Sequence, residues 1–455
     1  MNQRTFWFKW IIIMKAKPAP KISQGTFLYP DLIDQINPRD SLCQLAGRIP
    51  WDFLEKDFAP LYAERGRPAK PVRLMAGLLI LKQLENLSDE RVVEEWRRNP
   101  YFQFFCGMKH FQWDLPCEPS DLVHFRKRIG VNGVEKILQA SIAIHGKDAM
   151  EAEVIVDTTV QEKNITFPTD SKLRLKVIEK CWEFAKQYGV RLRRSYSREV
   201  SGLMDTIRFT RTKNSAQKSV AIRRLKTIAN ILLRELMRKL SAGAKEQLAN
   251  DLEICGQAVN QNKSDKNKIY SLHEPQVFCI AKGKEHKKYE FGTKAAIAQT
   301  LSSGIIVGAQ NAYNHYDGKT LAPLFEQILK LRGERPAKAF CDRGFRGKKE
   351  IDGTQIILPE KPKKDTSSYS RKKIREKFRK RNSIEAVNSH LKYDFRMLRN
   401  YLKGTVGDTI NILFSAAAYN FKKWMRATAQ YFFALFLFIL CRKRENINLI
   451  VAYQE

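Results

Sequence analysis

Apolar residues run almost all round a helix in "PVRLMAGLLILKQLENL" (71–87), the pattern of a helix enclosed by its neighbours. Ser88 follows as an N-cap for "SDERVVEEWRRN" (88–99), with Asp89 and Glu90 in the first turn. After "DLPCEPSD" another helix is predicted from near Ser120, carrying "HFRKRIG" (124–130). Residues 23 to about 145 therefore read as helical. At 150 the period changes, because "EAEVIVDTTVQEKNITF" alternates and is β-branched, which predicts one or two strands. Basic helices return over 172–262, and strands resume in "KIYSLHEPQVFCIAKGK", "KYEFGTKAAIA" and "SGIIVGAQNA" (268–312). A helix over about 320–332, strands at 337–345 and 354–359 and a cationic connector at 361–382 complete the pattern. The last amphipathic segment, "RKRNSIEAVNSHLK" (379–392), predicts a helix whose stripe of Ile384, Val387, Leu391, Phe395 and Leu398 packs inward. The order of periods predicts an α/β core, interrupted by a helical insertion and preceded by an all-α region.

Charge sharpens this picture. The 455 residues hold 81 Lys+Arg against 48 Asp+Glu, a net +33, and such excess points to a polyanion, nucleic acid before an anionic membrane surface. No apolar run reaches the roughly 18 residues of a spanning helix, so no membrane is expected as a partner. The apolar patch Trp10–Met14 is too short for a signal peptide, and Met14 is an alternative start. "YFFALFLFILC" (431–441) reads as a packing or aggregation-prone tail. Eight scattered cysteines, without a Cys-x-x-Cys pair, predict reduced thiols in a cytosol and no zinc site. Arg126, Lys127 and Arg128 give the 120s helix a basic face suited to DNA, or to solvent. "RGRPAK" (65–70) has the composition of a minor-groove arm.

Three acids stand out against this background. Asp157 follows "VIV" and Asp342 follows "AFC", each at a strand end where a side chain leaves the sheet, and each equally able to cap a turn. "YDGK" (316–319) and "PTDS" (168–171) read as acids of a turn and a helix cap. Glu385 is the acid of a basic helix. At 100° per residue Arg381, Ser389, Lys392 and Arg396 lie within about 40° of it. A salt bridge to Arg381 is one reading of Glu385; a metal ligand flanked by phosphate-gripping cations is the other. Two Asp and one Glu from separate elements are the oxygen ligands that Mg²⁺ or Mn²⁺ prefers. Two such ions serve phosphodiester chemistry without a His or Ser nucleophile.

"VIVDTT", "NAYNHYDGKTL", "CDRGFRG" and "RNSIEAVNSHLKYDFRMLRNYLKG" resemble the DDE transposases of bacterial insertion sequences, specifically family five. "LYPDLIDQINPRDSLCQLAGRIPW" and "PCEPSDLVHFRKRIG" resemble that family's InsH-like N-terminal domain. The resemblance implies a ribonuclease H-like core with Asp157, Asp342 and Glu385 as catalytic and metal-binding triad, holding two Mg²⁺ or Mn²⁺ ions. The related signature Tyr-x₂-Arg-x₃-Glu-x₆-Lys falls on Arg381, Glu385 and Lys392, with Phe378 at its Tyr position. Arg381, Lys392, Arg396 and Arg343 are the expected DNA contacts around the triad. The implied division is an extension at 1–22, a DNA-binding domain at 23–148, core segments at 149–171 and 263–428 about the insertion, and a tail at 429–455. Implied partners are double-stranded DNA, as terminal inverted repeats and target, and further copies of the chain. The implied location is the cytoplasm, at the nucleoid. The implied function is cut-and-paste transposition; an inactive DNA-binding relic and a plain metal-dependent nuclease are the alternatives.

Overall fold

In this computed structural model the described residues are 30–62, 68–210, 216–262, 264–281, 288–359 and 367–452. The side chains of residues 370, 374 and 429–452 are outside the description. The expectations for Trp10–Met14 and for Arg65 and Arg67 lie outside it too, as does that for the side chains of the 431–441 tail. Eight strands form one mixed sheet: β1 Glu153–Lys163, β2 Phe278–Ala281, β3 Tyr289–Thr300, β4 Ile306–Tyr313, β5 Lys338–Phe340, β6 Glu350–Ile351, β7 Thr354–Ile357 and β8 Arg399–Asn400. Lys268–Val277, expected to be extended, contains no strand, and the short β6 and β8 had no predicted counterpart. By contact the chain forms two compact units, one of residues up to Gln161 with Lys294–Asn400 and Val406 onward, the other of Glu162–Thr293 with Tyr401–Thr405.

The first unit contains the sheet order β4-β3-β1-β5-β7-β6, with β8 added to β1. β3 and β4 run antiparallel, whereas β1–β5 and β5–β7 are parallel. The helix Leu321–Arg332 covers β4 closely: a Cβ on Gly308 would meet Ile328 at 2.8 Å. The N-terminal helices Ser41–Arg48, Trp51–Phe58, Val72–Leu84, Asp89–Arg98, Pro100–Phe105 and Pro119–Ala143 share this unit. As the pattern predicts, Val72–Leu84 is buried continuously from Leu74 to Leu84, and the Ser88 hydroxyl accepts from Arg91 N. A buried polar network joins the unit's parts. Gln83 donates to Phe395 O and to the Ser415 hydroxyl, while Asn411, on the C-terminal helix Gly404–Ala452, donates to Gln161 Oε1 on β1. Each member is satisfied, so the network fixes register instead of costing an unpaired polar group.

The second unit carries the insertion as helices Asp170–Gln187, Ser197–Phe209, Ala216–Lys239, Ala242–Gln247 and Ala249–Asn260. They enclose their own core, including Val177, Leu225, Leu232 and Val259. Thr169 rather than Asp170 caps the first of them, accepting from Lys172 N. Here β2 pairs antiparallel with the first residues of β3, Phe278 opposite Gly292 and Ala281 opposite Tyr289. The seven cysteines whose side chains are described are unpaired. None of the described helices is long and apolar enough to cross a membrane.

One expected DNA contact lies in the interior of the N-terminal helices. Arg126 is only 6 % exposed and grips both oxygens of Asp89 at 2.7 and 2.6 Å, while Lys82 reaches the same carboxylate at 2.8 Å. The helical period places residue 126 with Leu122 and Ile129 on the inward face, and the buried acid there retains it. Burial raises the Asp89 pKa, but the Arg126 hydrogen bonds and the Lys82 charge outweigh it and bring the carboxyl from an ordinary 3.8 to about 2. Burial and Arg126 push the Lys82 ammonium down to about 8 despite Asp89. With the folded Asp89 pKa below the unfolded one, its stabilisation, about 2 kcal/mol, is complete above pH ~4 and fades as pH falls to ~2. Asp89→Asn is expected to cost about 3–5 kcal/mol at neutral pH, because two buried cations lose their acid. Urea unfolding from pH 7 to pH 2 checks both statements: the wild type loses this increment on acidification and the variant has already lost it.

Candidate active site

The site starts from a register. Glu153, Val154 and Ile155 of β1 lie opposite Lys338, Ala339 and Phe340 of β5 in parallel. Two residues further along each chain are Asp157 and Asp342, so the pairing delivers both acids to one edge, on neighbours about 4.8 Å apart. The helix Ser383–Tyr393 packs over this edge through buried Ile384, Val387 and Leu391. Ile384 joins Ile155, Phe340 and Leu301 in one apolar cluster, with Phe378 of the preceding helix, Ser368–Arg381, against it.

Asp342 caps the tight turn Arg343–Phe345, its Oδ1 accepting from Gly344 N at 2.8 Å. Its Oδ2 faces the Arg381 guanidinium at 3.9 Å. The turn cap and the Arg381 contact therefore use different oxygens of one carboxylate. Asp157 Oδ2 accepts from the Asn388 amide at 2.9 Å. Asn388 is one turn beyond Glu385, so the Glu385 helix touches Asp157 directly. Glu385 itself is exposed, and Arg381 pairs with Asp342 instead of with it, so the salt-bridge reading of Glu385 is not realised. Burial pushes the neighbouring Cys341 thiol up, with Asp342 and Asp157 adding to the rise and Arg381 opposing it.

Among the described residues no group of three His, Cys, Asp or Glu side chains converges to hold a metal ion. The structure brings Asp157 and Asp342 to one edge and lays the Glu385 helix upon it, without closing the three carboxylates into a shell. The donor set nonetheless fits a hard divalent ion: three carboxylates, and beside Asp157 the Asn388 Oδ1, buried with no hydrogen-bond partner among the described residues.

The expected cations divide. Arg381 is 16 % exposed at the acid edge, Arg343 is exposed with Nε 3.4 Å from Pro359 O, and Lys392 is half-buried on the helix of Glu385. Lys127 and Arg128 are exposed, and the Arg128 guanidinium lies over the Tyr62 ring at 4.4 Å. Arg396 leaves the face predicted for it. The helix ends at Tyr393, Arg396 adopts φ +62, and its guanidinium donates to Asn86 O at 3.0 Å. The same chain reversal leaves Leu398 39 % exposed, outside the apolar stripe expected to contain it. Upstream, the cationic connector of the sequence is itself helical from Ser368 to Arg381, broken from the next helix only at Asn382.

Asp317, read from the sequence as a turn acid, has a larger part. Its Oδ1 accepts from Thr158, the residue after Asp157, and from Lys294, both at 3.1 Å. On the other side, a Cβ on Gly344 would lie 2.9 Å from Asp342 Oδ1 and 3.2 Å from Asp317 Oδ2. Asp317 thus holds the strand of Asp157 through Thr158 and lies close to the turn that Asp342 caps. Its partners are 159 and 23 residues away, so no local pattern announces them; neither does one announce Asn388, 231 residues from Asp157.

Comparison with known proteins gives this arrangement a class. Residues 256–421, which include Asp342 and Glu385, match a family model described as Transposase DDE domain, and residues 30–128 match one described as Transposase domain (DUF772). The chain is an enzyme of a class that acts on DNA. It belongs to the DDE transposases of insertion sequences. A Rhizobium meliloti protein, described as "Uncharacterized protein ORF8 in nfe locus", is 45 % identical over 188 residues, 40 % of this chain and 91 % of that protein. No solved structure matches the chain.

Gly344→Ala is expected to press the two carboxylates apart and to lower DNA strand cleavage on the order of 10²-fold, as an ångström-scale displacement of a reacting group does. The thermal midpoint should move by no more than a few degrees, since Gly344 lies at the surface turn and not in the core. Unchanged cleavage at unchanged stability would remove Gly344 and Asp317 from the site.

Proposed function

We propose that this chain is a cut-and-paste transposase of insertion-sequence family five, in which Asp157, Asp342 and Glu385 act at one scissile phosphodiester. The observation that supports it is the parallel β1–β5 register, which carries Asp157 and Asp342 to a common edge beneath the helix of Glu385. The strand order β4-β3-β1-β5-β7 is compatible with a ribonuclease H-like core. In this reading the N-terminal helices, with an InsH-like fold, bind terminal inverted repeats of double-stranded DNA through exposed cations such as Lys127 and Arg128. The chain works on the nucleoid as a dimer or higher assembly.

Asp157, Asp342 and Glu385 would hold the Mg²⁺ or Mn²⁺ ions. When bound, two such ions activate a water or a 3′-hydroxyl and stabilise the leaving oxygen at a phosphodiester. The chain's own groups prepare the site. Asn388 fixes the direction of the Asp157 carboxylate, and Gly344 N holds one oxygen of Asp342 so that the other faces the substrate side. Arg381, beside Asp342, would offer its guanidinium to a phosphate oxygen, and Lys392, on the helix of Glu385, its ammonium to the flanking phosphate. Phe378, at the signature's Tyr position, packs on Phe340, so an apolar anchor replaces a hydroxyl there.

The separation of the three carboxylates favours a second reading: a DNA-binding relic without catalysis. Duplexes copied from the sequences flanking the coding frame decide between them. In Mg²⁺ the wild type should cut at the element end and join the freed 3′-hydroxyl to a second duplex, and Asp342→Ala should lose at least about 10³-fold of both. Binding without cutting supports the relic, cutting without joining a plain nuclease, and equal cutting by both proteins removes the triad.

A further inference from the structure

The helix Ser368–Arg381 has two faces of different purpose. At 100° per residue, Lys377, Arg381 and Phe378 share one arc of about 100°. That arc is docked: Lys377 Nζ reaches Glu153 Oε2 at 2.6 Å, Phe378 packs edge-on against Phe340 at 5.7 Å, and Arg381 faces Asp342. Lys372, Lys373, Arg375, Arg379 and Lys380 fall on the opposite arc, about 160° wide. All five are exposed, and none pairs with an acid among the described residues. A single acid, exposed Glu376, interrupts them. Glu376 stands four residues from both Lys372 and Lys380, and Arg375 and Arg379 face each other at i, i+4, so five cations against one acid leave the face strongly positive. The anchors set the orientation: they pin this cationic face at a fixed attitude on the element that leads straight into Glu385.

We infer that this outer face is a track for the phosphate backbone of the DNA being processed, an inference that rests on the chain acting on DNA. The five cations extend over nine residues, 372–380, about 12 Å of helix rise, against one phosphate per about 3.4 Å of each strand, enough for about three contacts. Such contacts carry no base readout, so the track holds any duplex entering the site and positions its scissile phosphate at the acid edge.

The test measures binding of a short fluorescein-labelled duplex, element-end or scrambled, by anisotropy from about 50 to about 200 mM KCl. The variant K372Q/K373Q/R375Q/R379Q/K380Q changes only exposed side chains. A second variant, K186Q/R191Q/R223Q/R238Q/K245Q, removes as many exposed cations from the insertion. The track predicts that the slope of log K against log[salt] becomes shallower by about 3 in the first variant, equally for both duplexes, and clearly less in the second. Equal losses in the two variants, or no loss in the first, overturn it. A wild type that binds and cuts while the first variant binds as well refutes the track alone; a wild type that binds neither duplex refutes the reading on which it rests.

Discussion

The parallel pairing of β1 with β5 is the constraint on which the rest of the site depends. Side chains in a strand alternate faces, so a slip of one residue would turn either aspartate away from the other. The register is held from both directions. Ile155 and Phe340 are fully buried and packed by Ile384, while Thr158 donates to Asp317, and Gly344 N donates to Asp342 in the turn that Asp342 caps. Hydrophobic packing beneath the edge and hydrogen bonds above it enforce the same alignment, and agreement between levels of that kind specifies a single structure.

Charge is distributed by burial. Arg126 and Lys82 spend their charge on Asp89 inside the helical part, where a polyanion cannot reach them. Other cations stay at the surface, among them Lys127 and Arg128, five on the outer face of the helix leading to Glu385, and further ones on the insertion. The net +33 of the chain therefore overstates what meets a partner, and position matters more than the total.

Much of this was legible in the linear chain, and the exceptions have physical reasons. The apolar run over 74–81, the Ser88 cap and the alternation after 150 depend on local chemistry, and each leads to the element found. Asp342 was readable because it follows a buried apolar run at the end of β5, whereas Asp157, expected at a strand end, lies inside β1, which continues to Lys163. Arg126 misleads because a basic residue on an inward helical position looks like its exposed neighbours until its acid partner, 37 residues away, is known. Arg396 misleads because an ideal wheel carries on past Tyr393, where the real chain turns through a positive φ. Asp317 and Asn388 were invisible because their whole significance is long-range.

The central claim is that Asp157, Asp342 and Glu385, apart in the chain alone, are ligands of one metal site acting on DNA. Electron paramagnetic resonance of Mn²⁺, titrated into the protein with an element-end duplex, tests it most directly. The account predicts that bound Mn²⁺ appears with the wild type, and that Asp157→Ala, Asp342→Ala and Glu385→Gln each weaken it while the duplex remains bound. Mn²⁺ binding that is indifferent to all three substitutions would contradict it.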